Sequence, residues 1–139
     1  MERVVALLKE KNQYLEQFHL VNEHELINFG EGNFDSVEAF YQTRDKLLDL
    51  IKTVDEAIEE ENRRMPVGPV TNAARVEVSS LLNKKDELVK SIVGQDLELL
   101  SYIEREKSNI IRELHSNSTA KKAVGAYAST ERLQVVDGE

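Results

Sequence analysis

Apolar residues recur three and four positions apart along three long runs of this chain, a period that fits an α-helix and not a strand. In the first run, over residues 2–29, Val4, Leu8, Leu15, Phe18 and Phe29 lie on one seam with Leu26 beside them. Lys11, Asn22 and Glu25 occupy positions of that seam where an apolar side chain would pack better. A lysine stem reaches the edge of such a seam, whereas a buried asparagine there needs a hydrogen-bond partner. Gly30 and Gly32 close the run.

The second run, over residues 35–63, carries Val37, Phe40, Tyr41, Leu47, Leu48, Ile51, Val54 and Ile58. Asp35 and Glu38 have capping-box spacing at its start, with Asn33 as a rival N-cap. The segment MPVGPVTN, with two prolines and a glycine, separates it from the third run. There Thr71 or Asn72 is placed to cap a helix over residues 72–115. Val78, Leu81, Leu82, Leu88, Val89, Ile92, Leu99, Ile103 and Ile110 hold its period, and Gly94 is its weak point. HSNST predicts the end of that helix, and residues 116–139 read as a partly flexible tail.

Composition agrees with helices. Charged residues make up 32% of the 139 positions and aromatics 6%, with a formal net charge of -8 and no cysteine. The acidic balance, with no Lys/Arg-rich patch, argues against nucleic acid and anionic membranes as partners. The lack of cysteine excludes disulfides and thiolate chemistry. The first residues, MERVVALLKEKNQYLEQ, lack the apolar core of a signal peptide, and the chain holds no long apolar run. These features predict a cytoplasmic protein with no direct membrane insertion.

Short connections predict an all-α, elongated antiparallel three-helix bundle or coiled coil over residues 1–115, with an over-long third helix and a short tail. At about 1.5 Å per residue the first two helices span roughly 42 Å each and the third roughly 65 Å. The third then outruns its neighbours by roughly 20 Å. The surplus carries Tyr102, Ile103, Ile110, Ile111 and Leu114. Burying such side chains is worth about 1.5–3 kcal/mol each. They therefore call for a cover: the tail, a second copy of the chain, or another protein.

No catalytic chemistry emerges. His24-Glu25 begins like a helical zinc motif, but Asn28 stands where the second histidine belongs, and no metal or cofactor is expected. Glu59, Glu60 and Glu61 point in different directions on a helix and read as a solvated face. The chain reads as a non-enzyme.

The stretch HELINFGEGNFDSVEAFYQTRDKLLDLI, residues 24–51, resembles flagellar export chaperones of the FlgN/FliT type. It does so through Glu25, Leu26, Gly32, Asp35, Arg44, Leu47 and Leu48. VGQDLELLSYIEREKSNIIREL resembles that family's C-terminal helix through Asp96, Leu99, Leu100 and Ile110. The resemblance implies a type III secretion chaperone of bacterial flagellum biogenesis. It would hold the terminal amphipathic helices of a hook-associated or filament-cap protein and deliver it to the cytosolic domain of the export gate. Leu99, Ile103, Ile110, Ile111 and Leu114 are then the candidate client-binding residues. Tyr127, with Val124, stands where the family carries a gate-docking tyrosine. Ala120, Val124 and Tyr127 share one face of a short helix.

Two plainer readings stay open. Tyr127 could tether the tail by local packing. The apolar residues of the third helix could form a homodimer seam, which would make the chain a structural or regulatory coiled-coil protein. Arg44 is expected to reach solvent or to pair with Glu25.

Overall fold

A computed structural model describes the backbone of residues 1–64, 68 and 70–124, and the side chains of these up to residue 116. It contains three helices: α1 (Glu2–Gly30), α2 (Val37–Arg64) and α3 (Asn72–Val124). The chain divides into two compact units, Met1–Leu99 and Leu100–Glu139.

In the first unit, cross-helix pairs define the topology. Lys9–Glu77, Asn12–Leu81, Glu16–Lys84 and Asn22–Asp96 rise together along the chain, so α1 and α3 run parallel there. Lys11–Asp55, Asn22–Arg44 and Glu25–Ser36 run in opposite order, so α2 is antiparallel to α1. The bundle is the all-α, up-down-up arrangement that short connections favour.

The α1 seam is buried as its period predicts: Val4, Leu8, Leu15, Phe18 and Phe29 are all in the core. Leu15 and Phe18 meet Leu47 of α2 and Ile92 of α3, with Tyr14, Val21, Ile51 and Leu88 packed around them. Each such side chain contributes about 1.5–3 kcal/mol on leaving water.

The corner between α1 and α2 closes by a paired-bond C-cap. Gly32 takes φ +79°, its N–H donates to Phe29 O, and the Asn33 N–H donates to Asn28 O. The left-handed residue just past the helix and the two back-reaching bonds satisfy carbonyls that the helix end leaves open. Phe34 then stacks on Phe29 with ring centroids 4.5 Å apart. Gly30 is still helical, so Gly32 alone makes the stop.

Two boundaries differ from those predicted. α2 begins at Val37 rather than 35, because Asn33 Oδ1 accepts from the Asp35 N–H and draws that residue into the corner. α3 does not stop at 115 but continues through HSNST to Val124, giving 53 residues against 29 and 28 in α1 and α2. Serine, asparagine and threonine cost a helix interior only about 0.5–0.7 kcal/mol each. Thr71 caps the start of α3, its Oγ1 accepting from the Ala74 N–H at 3.1 Å. The α2–α3 connection lies largely outside the described residues.

Candidate partner-binding site

A polar layer crosses the first unit at the level of Asn22, which is 0% exposed. Its Nδ2 donates to Asp96 Oδ1 at 3.0 Å and its Oδ1 accepts from Arg44 Nη1 at 3.2 Å. Arg44 also donates to both Asp96 oxygens, at 2.7 and 3.3 Å. Its guanidinium lies over the Phe18 ring at 4.7 Å and the Phe40 ring at 5.3 Å. Asn22 thus finds the partner its seam position demands. Arg44 pairs with Asp96 of α3, not with Glu25. The reason is rotational: Arg44 sits on the flank of α2 that meets α3. Glu25 instead accepts from Ser36 Oγ at 2.6 Å and from Asn28 Nδ2 at 2.9 Å. Asn22, Arg44 and Asp96 answer one another and so tie the three helices in register, whereas the buried Glu25 Oε2 has no hydrogen-bond partner among the described residues.

The predicted client-binding residues divide. Leu99 is 3% exposed and belongs to the core, which removes it from any binding surface. Ile103 is half-buried. Ile110, Ile111 and Leu114 are exposed by 49%, 57% and 48%. On a helix that turns about 100° per residue, Ile103, Ile110 and Leu114 share a face about 40° wide, with Ile111 turned to its side. Val124 lies within α3 but its side chain is outside the described residues, and Tyr127 lies outside them altogether. Arg105 stacks over Tyr102 at 4.9 Å in the same stretch of helix.

A second set of apolar side chains escaped the reading of the sequence. Tyr41, Leu48, Leu82 and Val89, assigned there to the core stripes, are exposed. Each follows a residue that is buried or half-buried: Phe40, Leu47, Leu81 and Leu88. Ile92–Val93 and Leu99–Leu100 repeat the pattern, with the first residue buried and the second exposed. The signal was present as adjacent apolar doublets spaced by four and seven, which give a helix two apolar lines instead of one.

Among the described residues, no group of three or more His, Cys, Asp or Glu side chains is placed to hold a metal ion. Nor is any described helix long and apolar enough to cross a membrane. Comparison with known protein families, with curated proteins and with solved structures finds no match for this chain.

Proposed function

We propose that the chain is a cytoplasmic export chaperone of the flagellar FlgN/FliT type. It holds the terminal amphipathic helices of a hook-associated or filament-cap protein, and then brings that client to the cytosolic domain of the export gate. The observation that carries this reading is the exposed Ile110, Ile111 and Leu114 on a helix nearly twice as long as α1 or α2. An amphipathic client helix buries its own apolar anchors against such a surface. Shielding these helices before assembly limits aggregation of the client. Val124 and Tyr127 are the proposed gate contacts, a tyrosine suiting a reversible contact because its ring is apolar and its hydroxyl can stay wet.

Co-expression with a filament-cap or hook-junction protein tests this. The reading expects a stable one-to-one complex, weakened by Ile110→Asp and Leu114→Asp, and Tyr127→Ala that impairs gate binding alone. If those aspartates only convert a dimer to a monomer and no client is held, the chain is a self-associating coiled coil. The heptad-like spacing of α3 favours that as the second reading.

A further inference from the structure

The exposed partners in the doublets of α2 and α3 gather along one edge of the first unit. Taking about 100° per residue, Arg44 lies on the same side of Leu47 as Tyr41 and Leu48 do. On α3, Asp96 lies on the same side of Ile92 as Val89, Val93 and Leu82. Arg44 and Asp96 meet at 2.7 Å, so both exposed lines border the α2–α3 junction with this ion pair at its floor. α1 packs against the opposite flank of α3, where Lys84 pairs with Glu16 and Gln95 donates to His19 O. Register follows from the same pair. With α2 and α3 antiparallel, Leu48 lies level with position 92, between Val89 and Val93, and Tyr41 with position 99, about 3 Å along the axis from Leu97. All five are exposed.

We propose that this junction is a docking groove for one amphipathic helix of a partner protein, bearing a Leu/Ile/Val line flanked by Lys or Arg. Two helices with a second apolar line each need a further helix between them to complete their burial. Charge decides which helix. The outer edge of α2 beside Tyr41 and Leu48 carries exposed Glu38, Asp45, Asp49 and Glu56 against a single Lys52. The outer edge of α3 adds Asp86, which pairs with Lys85 at 2.7 Å, and Lys90, so acidic groups still outnumber basic ones along the groove. A second copy would set this acidic edge against a chain that also carries -8, whereas a basic-edged helix gains opposite charges along the groove. The groove lies within Met1–Leu99 and is separate from Ile110, Ile111 and Leu114, so it stands whether or not the export reading does.

The test uses two fluorescein-labelled peptides of about 21 residues, three heptads with the same leucine line, one edged with lysine and one with glutamate. Anisotropy is read at about 0.15 M salt, where exposed charges are screened beyond about 8 Å. The lysine-edged peptide is expected to bind the full chain at least about tenfold more tightly than the glutamate-edged one. Leu48→Asp and Val93→Asp are each expected to weaken it by about tenfold or more, although both add the charge that attracts it. Ile110→Asp is expected to leave it unchanged. Circular dichroism checks that the variants keep their helices, as surface positions should. No binding, equal binding of the two peptides, indifference to Val93→Asp, or equal loss with Ile110→Asp would each overturn the proposal. So would sedimentation of the chain as a dimer that Val93→Asp dissociates, because the groove would then belong to a second copy.

Discussion

Arg44 donates to both carboxylate oxygens of Asp96 from 52 positions away, at 2.7 and 3.3 Å, while its guanidinium lies over Phe18. The pair is only partly screened, with the two side chains 19% and 38% exposed. Asp96→Ala removes the carboxylate partner of Arg44 and the acceptor of the buried Asn22 amide and should lower the unfolding free energy by about 2 kcal/mol. The triple change Asn22→Leu, Arg44→Met and Asp96→Leu leaves neither an unmatched charge nor an orphaned amide and should cost less than Asp96→Ala alone. Urea unfolding of the three proteins decides it; a triple variant weaker than the single one would mean the polar layer itself is strongly stabilising.

Leu99 and Ile110 look alike in the sequence and differ in the structure. Leu99→Ala should cost about 2–4 kcal/mol because it empties a buried site. Ile110→Ala should change stability by no more than about 0.5 kcal/mol. Thermal melts of both variants check this. Equal losses would place Ile110 in a folded core.

Gly94 and Gly32 should respond in opposite senses. Gly94 lies within α3, and a Cβ added there meets nothing within 4 Å. Gly94→Ala should therefore raise stability by about 1 kcal/mol through helix propensity. Gly32→Ala also meets open space, yet φ +79° strains an L-residue and should cost about 1–2 kcal/mol. Chemical denaturation of the pair separates backbone strain from steric room.

Tyr14 donates to Glu10 Oε1 at 3.0 Å, and this bond, with burial and the glutamate charge, raises its pKa above 10.0. The neutral phenol is thus favoured in the folded state. That contribution is complete below pH 10.0 and is lost as pH rises through the higher folded value. An ultraviolet titration, assigned with Tyr14→Phe, should place Tyr14 above 10.0, and Glu10→Gln should bring it back down. A midpoint indifferent to Glu10→Gln would sink this account.

Much of the fold was legible because helical period is local. Val4, Leu8, Leu15, Phe18 and Phe29 declared the buried seam of α1 without reference to any other segment. Asn22 announced that it needed a partner, although nothing nearby in sequence could name Asp96. The doublets resisted reading for a related reason. Leu47 and Leu48, or Leu88 and Val89, lie about 100° apart on a helix, and either can face inward until the neighbours are in place. The break expected at HSNST misread residues that favour caps but also tolerate a helix interior.

The order of residues by itself determined three helices, an acidic exterior and the corner at Gly32, since each depends on contacts or torsions within a few positions. Tertiary structure alone decided that Arg44 answers Asp96, that Leu99 is interior, and that Tyr41 and Leu48 stay outside. Those outcomes depend on how each helix is rotated about its own axis, and rotation is set only when helices from distant parts of the chain pack together.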